Sequence, residues 1–103
     1  MVSLASDERE RTWTFLTNHA HVLLCIATDP GARLRDVAQT VGITERAAQR
    51  IVTELVDDGY LERRRVGRRN TYRVNPGRPL RAPFHDDRRV EELIAALSPL
   101  PTG

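Results

Sequence analysis

The sequence predicts a mainly α fold with a small β-hairpin, an α+β domain of three helices, two strands and a further C-terminal helix. Three patterns carry this. Between Thr44 and Gly59, Ala47, Ala48, Ile51, Val52 and Leu55 fall on one stripe at the helical repeat, with polar side chains opposite. After Gly59 the apolar residues Leu61, Tyr72 and Val74 suit one face of a hairpin rather than a helix. Near the end, Val90, Leu93, Ile94 and Leu97 stand at i, i+3, i+4 and i+7, the spacing of one helical face.

Taken in order, residues 1–11 have little apolar content and read as a disordered tail. Trp13, Phe15 and Leu16 form an abrupt apolar cluster that should pack against something. Thr17 or Asn18 caps a first helix running to about Thr28, where Asp29, Pro30 and Gly31 break it. His19, Val22, Leu23 and Ile26 make one face of that helix and Ala20, Leu24 and Ala27 a second apolar flank, the pattern of an element covered on two sides. Leu34 reads as a very short strand, and Arg35 to Val41 as a second helix with Val37, Ala38 and Val41 inward. Gly42 turns the chain, Ile43 fills the corner and Thr44 caps the next helix, which extends over 44–58 and closes at Gly59. Two short helices joined through a glycine turn are the helix-turn-helix spacing. The hairpin turn is read as Gly67, Arg68, Arg69 and Asn70, an even loop that keeps the apolar face inward. Residues 76–85, with Pro79 and Pro83, form an extended linker, and Asp86 caps a last helix over 86–98.

The formal net charge is only +2, but the charge is segregated. From Tyr60 to Arg81 eight arginines face Glu62 alone, whereas the residues up to Gly59 and those after Arg81 each carry more acid than base. Strand-forming Tyr60, Leu61, Val66, Tyr72 and Val74 are interleaved with the basic block, so it suits a polyanion-binding surface better than a tail. Every cation other than histidine is arginine, a bias that a GC-rich genome explains and that also suits bidentate base and phosphate contacts.

Other functions find little support. No acid pair, nucleophile motif or glycine-rich phosphate loop is present, so no enzyme activity is expected. No run approaches the ~18 to 20 apolar residues of a membrane span, and the acidic stretch Asp7 to Glu10 is unlike a signal peptide. With a single cysteine, Cys25, the chain reads as cytoplasmic and without a disulfide. His21 and Cys25 lie four apart on one helical face, and His85 or a second subunit would be needed to complete a metal site. His19 points elsewhere and a lone cysteine in an apolar helix is ordinarily a small core residue, so no metal or other cofactor is expected.

The run RLRDVAQTVGITERAAQRIVTELVDDGYLERR, with its Gly42 turn, Thr44 cap and passage from Leu55 to Leu61, resembles the helix-turn-helix of bacterial MarR-like winged helix-turn-helix transcriptional regulators, and VGRRNTYRV resembles their wing. The resemblance spans about Thr17 to Asn75 and implies a DNA-binding domain over 12–75. Long helices flanking it are absent from the sequence, so no small-molecule ligand is expected.

The resemblance implies double-stranded DNA as partner, with helix 44–58 in the major groove and wing 66–71 on the backbone or in the minor groove. Arg46 and Arg50 would each bridge the O6 and N7 of a guanine and Gln49 would pair with adenine, while Thr44 and Thr53 suit phosphate or methyl contacts. Glu45 either accepts from a cytosine amino group or favours the helix N-terminus by its charge. Arg68 and Arg69, with Asn70 beside them, would hold the backbone, Arg35 would anchor a phosphate, and Arg64 is a further candidate. One such head makes few contacts, so a homodimer over two half-sites is expected, its interface drawn from Trp13, Phe15, Leu16, Leu24, Val90, Leu93, Ile94 and Leu97. The alternatives are a winged-helix protein-protein interaction module and, less favoured, a metal- or redox-responsive regulator using Cys25 and His21.

Overall fold

The computed structural model describes residues 13–81 and 87–97. The expected tail, His85 and the Asp86 cap lie outside them. Four helices and one hairpin follow in the order α1 (Asn18–Thr28), α2 (Leu34–Val41), α3 (Glu45–Asp57), β1 (Leu61–Val66), β2 (Arg69–Val74) and α4 (Val90–Leu97).

Thr17, not Asn18, caps α1. Its hydroxyl accepts from the Ala20 amide at 3.2 Å, and Asp29 closes the far end by accepting from the Gly31 amide at 3.2 Å. Val22, Leu23, Leu24 and Ile26 are all buried, while Ala20 and Ala27 of the second flank are half-buried.

Leu34 is not in a strand. It is the first residue of α2, because Arg33 in extended conformation offers its carbonyl to the Asp36 and Val37 amides and so starts a helical turn. The extended contact near this point comes earlier, where the Tyr72 amide reaches the Pro30 carbonyl at 3.5 Å. α2 ends as expected. Gly42 adopts φ +88°, a left-handed conformation that other residues resist, and the Gly42 and Ile43 amides both turn back to the Ala38 carbonyl.

Thr44 caps α3, accepting from the Ala47 amide at 3.0 Å. Ala48, Ile51, Val52 and Leu55 are buried on one stripe, with Ala47 half-buried at its edge. The helix closes at Gly59, and the Tyr60 amide reaches the Leu55 carbonyl at 2.8 Å. One residue later β1 begins, so the passage from α3 into the hairpin is short.

The hairpin is antiparallel, with Leu61 opposite Val74, Arg63 opposite Tyr72 and Arg65 opposite Asn70. Its loop is only Gly67 and Arg68. Arg69 and Asn70, expected in the turn, belong to β2. Gly67 has φ +63° while Arg68, like every non-glycine among the described residues, has negative φ, which is the pattern of a two-residue type II′ loop. Because both the expected and the observed loop are even, the predicted inner face survives: Leu61 and Tyr72 are buried and Val74 half-buried.

The segment read as a linker is fastened to the domain at least as far as Arg81. Tyr60 donates its hydroxyl to the Pro79 carbonyl at 2.8 Å, Leu80 packs on the core, and Arg81 lies 3.3 Å from the Asp58 carboxylate. Backbone bonds from Leu80 to Arg88, Val90 to Arg78 and Glu91 to Pro76 pair this strap with the start of α4. They keep residues 88–89 extended, which is why α4 begins at Val90 rather than directly after residue 86. Glu92 then reaches back to the Arg89 amide at 2.9 Å and so satisfies an end donor that an arginine cannot cap.

The core gathers Val22, Leu23 and Ile26 of α1, Val37 of α2, Ile51, Val52 and Leu55 of α3, Leu61 and Tyr72 of the hairpin, and Val90 of α4. Val90 is 1% exposed and Leu24 is 5% exposed. Both were expected at a subunit interface, and both are instead buried within the chain itself. Among the described residues no helix is long and apolar enough to cross a membrane.

Candidate nucleic-acid interface

α3 presents its second face to solvent. Arg46, Gln49 and Arg50 are exposed and Thr53 is half-buried, with the Gln49 amide nitrogen 3.5 Å from the Thr53 hydroxyl. Glu45 occupies the first turn, where a carboxylate complements the exposed amides. Thr44 uses its oxygen as the cap acceptor and keeps its hydroxyl proton for an outside partner. Arg50 is not wholly free: its guanidinium lies 3.8 Å from Glu54, whose other oxygen meets His19 Nε2 at 2.6 Å. An exposed pair at that separation contributes little to stability, so Arg50 can be drawn away.

The wing stands beside this face. A groove of about 410 Å³ is lined by Arg33 and Leu34 at the start of α2, by Gln49 of α3, and by Arg69, Asn70 and Tyr72 of β2. Helix face and wing thus border one concavity. Within the wing the arginines divide. Arg69 donates to the Gly31 carbonyl and fastens β2 to the α1–α2 loop, and Arg63 lies over the Tyr72 ring at 5.9 Å. Arg64 is 3.7 Å from Glu62. Arg68 stands exposed at the loop, and Arg35 is exposed on α2.

Two candidates emerge that sequence reading passed over. Arg33 precedes α2 and lines the groove with Gln49. Arg65 pairs with Asn70, so the strand register places both on one face of the hairpin. The register was the available signal for Arg65, but a turn drawn two residues too long concealed it.

The residues weighed for the metal- or redox-responsive alternative, His21 and Cys25, both lie on α1 and are half-buried. His19 is engaged with Glu54, and Cys25 is half-buried against the core, where burial pushes its thiol pKa up and away from the reactive thiolate. Among the described residues no three His, Cys, Asp or Glu side chains gather into a ligand set. A second cleft, of about 570 Å³, lies between α1, the end of α3 and α4, lined by His19, Leu23, Glu54, Tyr60, Leu80 and Leu93 among others.

Helix, turn, helix and two-stranded wing around a common core make this a winged helix-turn-helix protein. Residues 14–69 match the MarR family, and the chain belongs to it. It is therefore a transcriptional regulator and not an enzyme. Among solved structures it is similar to the PcaV transcriptional regulator from Streptomyces coelicolor, solved in complex with its natural ligand, at 25% identity and a TM-score of 0.51 over 96% of this chain and 72% of that one. It is also similar to the zinc-dependent MarR family transcriptional regulator AdcR in its Zn(II)-bound state, at 17% identity and a TM-score of 0.46 over 73% of this chain and 67% of that one. No curated protein matches the chain.

Proposed function

We propose that the protein regulates transcription by binding double-stranded DNA in a sequence-specific way, with α3 in the major groove and the wing on the flanking backbone. The observation that carries this reading is the shared concavity, in which Gln49 of α3 faces the same groove as Asn70 and Arg69 of the wing and Arg33 of α2. Arg46, Gln49 and Arg50 carry the paired donors and acceptors that distinguish base edges, and Arg33, Arg35, Arg65 and Arg68 carry charge for phosphate.

The protein acts as a homodimer in this proposal. Phe15 is 94% exposed and Trp13 58% exposed, their rings edge to face at 5.2 Å, and Leu97 is 40% exposed at the end of α4. With half-buried Leu16 and Leu93 and the outer edge of Ile94 they supply apolar surface on the two flanking segments. Two heads on one duplex then read half-sites about one helical turn apart.

Selection from a pool of random duplexes tests the whole reading. Enrichment of a palindrome is expected, and retention of no duplex above background would overturn it. The cleft between α1, α3 and α4 adds a second element, a small organic effector held against Leu23 and Leu93 with His19, Tyr60 and Arg81 at its edge. The similar PcaV was solved with a natural ligand. Screening small aromatic and aliphatic acids for release of the selected duplex checks this element, and release that persists with Ala20→Phe, at a half-buried position lining the cleft, would remove it.

A further inference from the structure

One residue that neither the core nor the groove explains is Arg78. It lies in the strap after the hairpin, twenty residues beyond Asp58, the C-cap of α3, and its side chain returns to that cap. Its Nη2 donates to the Asp58 carbonyl at 2.7 Å, at the C-cap where the helix leaves carbonyls unpaired and carries partial negative charge. Its guanidinium covers the Tyr60 ring at 5.5 Å and packs against Gly59, where an added Cβ would stand 3.4 Å from Arg78 Cζ. The Nε is buried without a hydrogen-bond partner. The guanidinium is held from two sides, by the ring stack and by the carbonyl contact.

The backbone of the same residue holds α4. The Arg78 carbonyl accepts from the Val90 amide at 2.9 Å, the first residue of the helix, and the Arg78 amide reaches the Asn75 carbonyl at 3.4 Å. Asn75 in turn donates through Nδ2 to the Gly59 carbonyl at 3.2 Å. One residue thus ties the end of the DNA-facing helix to the beginning of the terminal helix, and through Tyr60 to the root of the wing.

We propose that Arg78 is a positioning residue that fixes the angle between α3 and α4, and so sets the separation of the two α3 helices in the dimer. The inference rests on the DNA-reading dimer proposed above. A rigid joint lets the second head engage at high effective concentration once the first is bound, whereas a loose joint loses that gain and leaves each head intact. Arginine suits the joint because its planar group stacks and donates at once, which neither lysine nor glutamine reproduces.

The test uses the full chain and two probes, the palindromic duplex selected from the random pool and the same duplex with one half scrambled. For R78Q the affinity for the palindrome should fall by about tenfold, within the range usual for coupling between sites. Affinity for the half-scrambled duplex should stay at the wild-type value, and palindromes with one base pair added or removed between half-sites should bind nearly as well as the original. R78K, which keeps the charge and a donor without the planar stack, should fall between wild type and R78Q, and it carries the comparison should R78Q fail to fold. Equal loss on both duplexes, tracking a lower melting temperature, would show a role in stability alone and overturn the proposal. Unchanged binding to both would overturn it as well. A wild-type protein that retains no duplex would instead remove the DNA reading, and the positioning role with it.

Discussion

α3 and the wing are both polar on the outside, yet they arrange their side chains differently. In α3 the work is divided by face: Ala48, Ile51, Val52 and Leu55 are buried, while Arg46, Gln49 and Arg50 are exposed. In the wing the same residue type is divided by position. Arg63 covers Tyr72 and Arg69 holds the Gly31 carbonyl, whereas Arg68 stands at the loop. Helical periodicity therefore separates core from surface residue by residue, while a count of wing arginines overstates how many are available to an outside partner. A positive charge in a hairpin can be a structural clamp.

The largest effect is expected at the inward face of α3. Ile51→Ala removes a side chain that is 2% exposed and should lower the unfolding free energy by about 2 to 5 kcal/mol in denaturant titration. A loss smaller than that of a surface substitution would contradict the division by face. On the outward face, Arg50→Ala should leave stability nearly unchanged and weaken duplex binding by roughly 1 to 3 kcal/mol, concentrated on one base position. A loss spread evenly over all sequences would make Arg50 a backbone contact. Thr44→Ala removes the cap on which α3 begins and should reduce stability by about 1 kcal/mol, measurable as a shifted denaturation midpoint. In the wing the two neighbouring arginines should part company. Arg68→Ala should reduce the slope of log affinity against log salt by about 0.9 if it neutralises one phosphate, with no change in unfolding. Arg69→Ala should instead lower stability by about 1 kcal/mol, the net contribution of a typical hydrogen bond, and alter the salt slope less. Identical behaviour of the two variants would erase the distinction.

What the sequence made legible was local. The Thr44 cap, the left-handed Gly42 and Gly59, and the buried stripe of α3 each depend on residues within a few positions, and all are found where the pattern puts them. The hairpin face was legible because its parity did not depend on the exact loop length. Leu34 was misread because one apolar residue has no period, and the carbonyl of Arg33, which a sequence pattern does not reveal, starts the helix. Val90 shows a different limit. Its place in an i, i+3, i+4, i+7 stripe identifies a buried face but not which surface buries it, and the strap that draws it into the domain's own core is made by backbone bonds to Arg78 and Pro76. The clamps of Arg69 and Arg78 span 38 and 20 positions, beyond any periodic signal.

The hairpin is held unevenly along its length. Leu61 and Val74 at its base meet the core, whereas Val66 beside the loop is 62% exposed and the sheet has only two strands. A two-stranded ribbon is marginal without further packing, so amide exchange in the wing should quicken from Leu61 toward Gly67 while α3 remains protected. Between the core contacts at its base and the hold of Arg69 on the Gly31 carbonyl, the Gly67–Arg68 tip is the part of the finger left to move. In the proposed complex, fixing that tip on a duplex carries an entropic penalty, which calorimetry would register as a less favourable binding entropy than that of a variant with a shortened wing.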